Sequence, residues 1–141
     1  MSTTSVSTSL PTGLSSRLVV AALHNHDLMI RTLCPALVSY NFESGNPNTQ
    51  ATYTVTDRKP NGLTTYKLTL TNNPTGVDSL VNANPPVGIL TIAGKWRVGG
   101  GKLVEDVMID GNFMMKKMAK GNVEKTHPGH HAMLFQLAAR A

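Results

Sequence analysis

From Ala36 to Ile109 apolar residues recur at every second position, in short runs separated by turn-forming residues, and this pattern leaves few folds open. Val38, Tyr40 and Phe42 alternate with Ser39 and Asn41. Tyr53 and Val55 alternate with Thr52, Thr54 and Thr56, and Tyr66, Leu68 and Leu70 alternate with Thr65, Lys67 and Thr69. Successive side chains of a strand point to opposite faces, so each run has one apolar face and one polar face. Val77 to Ala83, Ile89 to Val98 and Leu103 to Ile109 read as three further strands. The breaks are turn signals: Ser44 to Gln50, Pro60-Asn61-Gly62, Asn72 to Gly76, Pro85-Pro86 and Gly99-Gly100-Gly101. Short strands at this spacing form an antiparallel meander. A meander that is apolar on one face only must have that face covered.

The two ends of the chain supply candidates for the cover. Residues 3–10 alternate Ser and Thr with Val6 and Leu10, as an edge strand would, and Pro11-Thr12-Gly13 punctuates them. Ser15 and Ser16 are good caps for a short helix from Arg17 to His24. A second, Asp27 to Leu33, follows a kink near Asn25 and stops at Pro35. In the last segment Phe113, Met114, Met115, Met118, Val123, Met133, Leu134 and Leu137 recur at roughly helical spacing, which makes it the expected lid. Pro128-Gly129 interrupts it, and a proline inside a helix costs about 3 kcal/mol. Two pieces are therefore expected, Asn112 to Thr126 and His131 to Ala139. The fold class is α+β: a curved antiparallel sheet of six to seven strands wrapped on a C-terminal helix, with two short N-terminal helices. Residues 1–141 are expected to form a single domain.

Composition narrows the function classes. With 40% apolar and 15% charged residues the chain is not of the disordered type. Its single cysteine, Cys34, fits a reducing compartment, so a cytoplasmic location and a buried structural thiol are expected. No apolar run reaches the roughly 18–20 residues of a membrane span. Met1 to Ser9 lacks the basic start and apolar stretch of a secretory signal, and its strand-like alternation argues against a mitochondrial presequence. The formal charge is +5, but Lys116, Lys117, Lys120 and Lys125 are spaced as the solvated side of a helix. Aromatics are only 5%, and no stacking platform for nucleic acid is present.

Few motifs carry chemistry. The histidines fall in two clusters, His24 with His26, and His127 with His130 and His131. The first pair does not share a helical face and no His-Glu-x-x-His pattern occurs, so no metal site is expected. Exposed helix-end positions are the ordinary expectation for these histidines, with an acid/base role for His127 or His131 at a cavity mouth as the sharper one. Gly99-Gly100-Gly101-Lys102 is followed by Leu103 and a strand pattern, which makes it a hairpin and not a phosphate loop. There is no Gly-x-Ser-x-Gly elbow. Tyr40, Tyr53, Tyr66 and Trp96 share the parity of their strands' apolar residues and are expected to face inward. Either an ordinary core or a cavity lining would place them so. Met108, Met114, Met115 and Met118 suit an adaptable apolar surface and equally suit a filled core.

The runs Val20-Ala21-Ala22-Leu23-His24-Asn25-His26-Asp27-Leu28-Met29-Ile30, Tyr53-Thr54-Val55-Thr56-Asp57-Arg58, Lys95-Trp96-Arg97-Val98-Gly99-Gly100 and Leu103-Val104-Glu105-Asp106-Val107 carry a resemblance. The chain resembles a fungal family of uncharacterised proteins in the START-like (SRPBCC, birch-pollen-allergen-like) superfamily, over about Val19 to Leu137. It departs from that pattern in short loops around Ser44 and Pro86 and in the His127 to His131 interruption. The resemblance implies a helix-grip fold with a ligand cavity. Members of the superfamily bind lipids, sterols or polyketides, and some are cofactor-free cyclases; no established catalytic residue can be carried over. The expected function is binding of an apolar small molecule, with cyclisation or isomerisation in polyketide or terpenoid metabolism and no cofactor. Tyr53, Tyr66 and His127 are then the catalytic candidates, and Tyr40, Trp96, Met115, Met118 and His131 the ligand-binding ones. A homodimer is compatible with this. A non-catalytic carrier, and a structural or partner-binding domain with a filled core, are the alternatives.

Overall fold

The computed structural model describes residues 2–60, 62–83 and 89–140. Strand β1 spans Ser2–Ser9 and is followed by helices α1, Ser16–His24, and α2, His26–Leu33. Then come β2 (Leu37–Gly45), β3 (Gln50–Lys59), β4 (Gly62–Asn73), β5 (Gly76–Ala83), β6 (Leu90–Gly99) and β7 (Lys102–Asp110). Helix α3, Phe113–Arg140, completes the helix-grip arrangement. The seven strands form one antiparallel sheet in the order β1-β7-β6-β5-β4-β3-β2. β2 to β7 pair in chain order, while β1 crosses the molecule to pair with β7. The stop at Pro85-Pro86 and Asn61 of the expected turn lie outside the described residues.

Local chemistry sets the boundaries. The side chain of Ser15 accepts from the backbone N–H of Leu18, and that of Asn25 from Leu28, so each short helix opens on a capped turn. Asn112 caps α3 by accepting from the Met115 N–H at 2.9 Å. The β6–β7 hairpin turns on Gly100 and Gly101, both at positive φ (58° and 74°), where a side chain would be strained.

The two faces of the sheet divide as the alternation dictates. Ala51, Tyr53 and Val55 of β3, Leu68 and Leu70 of β4, and Trp96 and Val98 of β6 are buried on the inner face. The outer face carries hydroxyl pairs across strands, Thr52 with Thr69 at 2.9 Å and Thr56 with Thr65 at 3.2 Å. β2 departs from this pattern. It is an edge strand with register shifts at Leu37/Ser39 and Phe42/Ser44, and Val38 and Phe42 are exposed.

Helix α3 differs from the sequence expectation in two ways. It runs unbroken through Pro128. Pro128 and Gly129 lie on its exposed side, as does Glu124, whose carbonyl finds no N–H at the proline. The packing of the turns on either side holds the helix together, since Val123, His131, Leu134, Phe135 and Ala138 are all buried. The buried stripe is also rotated from the expected one. Met115, Val123 and His131 face inward, whereas Phe113, Met114, Met118 and Met133 are exposed. Methionines spread around a helix carry little phase information, and contact with the sheet decides the phase.

An unbroken helix makes a sign prediction. Pro128→Ala should return a hydrogen bond to the Glu124 carbonyl and raise unfolding stability by up to about 3 kcal/mol. Urea unfolding measures this; loss of stability would indicate that the proline terminates the helix.

Candidate functional site

The two halves of α3 meet the sheet differently. Leu134, Phe135 and Ala138 pack into the main core with α1, α2 and the inner face of the sheet. Val123 joins a smaller cluster with Val107 and Ile109. Between the clusters lies a cavity of about 840 Å3. Leu68, Val81, Leu90, Ile92, Val107 and Val123 make most of its wall apolar. Cys34, Tyr66, Ser79, Glu105 and His127 are its chief polar groups. The size and composition suit a small organic ligand.

Glu105 dominates the polar side. It lies in β7 on the same parity as Leu103, Val107 and Ile109 and therefore points inward, where it is only 1% exposed. A carboxylate so buried needs strong partners. Two imidazoles of α3 supply them: His127 Nδ1 lies 2.6 Å from Oε2, and His131 Nε2 lies 3.0 Å from Oε1. Their four-residue spacing puts both rings over one strand. Burial by itself would raise the Glu105 pKa, but the two histidine partners outweigh it and hold the carboxyl below its ordinary range.

These bonds assign protons. An ionised Glu105 only accepts, so His127 donates from Nδ1 and His131 from Nε2. His131 Nδ1 then meets the Thr8 hydroxyl of β1 at 2.9 Å, which ties a third element to the cluster. His127 engages Glu105 through Nδ1 and lines the cavity. The Trp96 ring lies along His127, 26° from parallel with centroids 6.3 Å apart, and restrains its orientation. His130 packs on His127 at 4.5 Å, and burial followed by repulsion from His127 lowers its pKa to about 4.

Tyr66 heads a second polar group. Its hydroxyl donates to Asp57 Oδ2 at 3.2 Å and lies 2.8 Å from Cys34 Sγ. Burial, then Cys34 and Asp57, push the phenol pKa upward, so Tyr66 stays protonated.

The residues expected from sequence separate into two sets. Tyr66, His127, Met115 and Met118 line the cavity, with Met118 at its exposed rim. Tyr53, Tyr40, Trp96 and His131 do not line it. The Tyr53 hydroxyl is bonded to His26 Nδ1 at 2.9 Å, deep in the core. Tyr40 donates to Asp27, which also pairs with Arg31. Trp96 and His131 are fully buried behind the wall. The expectation of exposed histidines is corrected, because His26 and His131 are buried and satisfied by side chains of other elements. The thiol of Cys34 is buried, as expected. Sequence reasoning passed over Glu105, although a carboxylate on the apolar parity of β7 was a legible signal. Among the described residues no three His, Cys, Asp or Glu side chains are placed to hold a metal ion, and no helix is long and apolar enough to cross a membrane.

The family model described as a domain of unknown function, DUF7053, matches residues 1–140, and the chain belongs to that family. No curated protein matches it in sequence. Among solved structures it is similar to Ara h 8.0201, at 15% identity and TM-score 0.69 over 99% of both chains. It is also similar to the Zhui aromatase/cyclase of Streptomyces sp. R1128, at 11% identity and TM-score 0.60, covering 99% of this chain and 93% of that one. The di-domain ARO/CYC BexL from the BE-7585A biosynthetic pathway gives 13% identity and TM-score 0.54, over 96% of this chain and 48% of that one. At these identities the likeness shows a shared fold.

Two predictions follow from the histidine cluster. Glu105→Ala should cost about 3–5 kcal/mol in urea unfolding, because the buried His131 and the part-buried His127 lose their acceptor. Stability should also fall as the pH drops from about 6.5 toward 4. In that window the unfolded chain protonates His130, and His26 as well, while the fold resists both. Glu105 adds to the loss below its unfolded value of 4.5. His130→Gln should flatten the decline; an unchanged slope would rule out His130 as a source.

Proposed function

We propose that this DUF7053 member binds an apolar small molecule in the cavity between sheet and α3 and isomerises or cyclises it without a cofactor. The observation that carries this is the Glu105–His127 pair in the wall of an otherwise apolar cavity. With Nδ1–H held by the carboxylate, Nε2 of His127 is the atom left to act as a base. It can take a proton from an activated carbon and return it elsewhere on the ligand. Glu105 stabilises the imidazolium formed in between and keeps the ring in one orientation. Tyr66, whose O–H is committed to Asp57, presents a lone pair suited to a ligand hydroxyl. The apolar wall contributes by holding a flexible ligand in a reactive conformer. The aromatase/cyclases of the same fold support a polyketide-like substrate. A fungal secondary pathway in the cytoplasm is the setting we propose, with residues 1–141 acting as one unit.

The test starts with native mass spectrometry and solvent extraction of protein purified from its source, which should recover a bound apolar compound. Incubation with candidate precursors should yield an isomeric or cyclised product. His127→Ala should slow turnover by about 100-fold or more, and Glu105→Gln should lower it as well. Tyr53→Phe should leave turnover intact and cost about 1 kcal/mol of stability. A compound recovered unchanged, with binding but no turnover, would make the protein a carrier. Full turnover by His127→Ala would remove His127 from the mechanism.

A further inference from the structure

Gly94 leaves a notch in the cavity wall, and two polar atoms flank it. A Cβ built on Gly94 would lie 2.7 Å from Ser79 Oγ and 3.3 Å from Trp96 Nε1. Ser79 is the cross-strand partner of Gly94, and Trp96 lies two residues further along the same strand, so all three share the inner face. Ser79 and Gly94 both line the cavity. Trp96 is fully buried, and its indole N–H has no hydrogen-bond partner among the described residues. A buried, unpaired donor is uncommon and needs a reason. An indole N–H can only donate, whereas a serine hydroxyl can accept and donate at once. A Ser79 hydroxyl turned toward Trp96 could accept from its N–H and direct its own hydrogen into the cavity.

We propose that the Gly94 notch is a subsite for a carbonyl oxygen of the ligand, bound by the Ser79 hydroxyl with the Trp96 N–H behind it. The proposal rests on reading the cavity as a ligand site and narrows the ligand to an apolar compound bearing a ketone or related carbonyl. Ser79, Gly94 and His127 line the same cavity, and Trp96 stacks on His127. In the reaction His127 Nε2 takes a proton from the carbon next to the carbonyl. The C–H electron pair moves into the new C=C bond, and the carbonyl π pair moves onto oxygen. Ser79 donates to the enolate oxygen. Where the ketone carries a β,γ double bond the enolate extends over it, and return of the proton to the γ carbon, with the electron pair moving back through the system, restores the carbonyl and yields the conjugated isomer with no change in oxidation state.

Two probes of nearly equal shape test this: 2-acetylnaphthalene and 2-ethylnaphthalene. The wild-type protein should bind the ketone, with its infrared carbonyl band at lower frequency than in hexane. Ser79→Ala should weaken the ketone about 3–10-fold, the range of one neutral hydrogen bond, and return the band toward the hexane position. Binding of 2-ethylnaphthalene should not change. Gly94→Ala should produce the same loss by filling the notch. Equal ketone affinity in wild type and Ser79→Ala, or a wild-type band at the hexane position, overturns the subsite while leaving the cavity as a ligand site. If neither naphthalene binds the wild type, the cavity reading fails and the subsite fails with it. A wild-type band at the hexane position overturns the subsite without any variant, so poor folding of a mutant cannot obscure that outcome.

Discussion

A carboxylate buried between a sheet and a helix must be fully satisfied, and the seam between β7 and α3 is organised around that requirement. Glu105 cannot reach water, so its two oxygens take His127 and His131 from successive turns of α3. His131 in turn reaches Thr8 on β1. One ionisable group thus links the edge strand, its neighbour and the helix that covers them. Hydrophobic contact alone would hold the helix against the sheet but would not select its rotation. The paired hydrogen bonds favour one rotation, which faces Met115, Val123 and Leu134 inward.

On one side of this seam the structure is solid, and on the other it is open. Leu134, Phe135 and Ala138 interlock with α1, α2 and the sheet. Toward the start of α3 only Met115 and Val123 are buried, and the sheet opposite carries small or modest groups such as Gly94, Ser79, Val81 and Ala83. Side chains of this size cannot fill the space between the layers. The same seam therefore anchors the lid and places an imidazole at the edge of an apolar cavity. A group that a packed core would exclude is retained where it stabilises the fold and faces a space able to hold a ligand.

Much of the fold was legible in the residues. Ser15 and Asn25 mark their helix starts, the triple glycine marks its hairpin, and the Thr/apolar alternation assigns the faces of β3 and β4. Where legibility failed, a weak local signal met a strong tertiary one. Pro128 penalises a helix, but it stands on the solvent side, and packing of the neighbouring turns prevails. The alternation of Val38, Tyr40 and Phe42 is genuine, yet an edge strand with bulges leaves Val38 and Phe42 exposed. For the tyrosines, parity correctly pointed Tyr53 inward but could not say whether the inside there was cavity or core. His26, forty-six positions from Asn72, settles that by engaging the Tyr53 hydroxyl in a closed network.

The sequence by itself determined the antiparallel sheet, its apolar face and the need for a C-terminal cover, because alternation, turns and caps are local properties of consecutive residues. The tertiary structure alone decided the rotation of that cover, the continuity of its helix and the location of the cavity. It also brought together the groups that make the site: Glu105 with His127 and His131, and Ser79 with Gly94 and Trp96. Those meetings join residues on different elements, and neither distance nor burial across elements can be read from the order of residues along one.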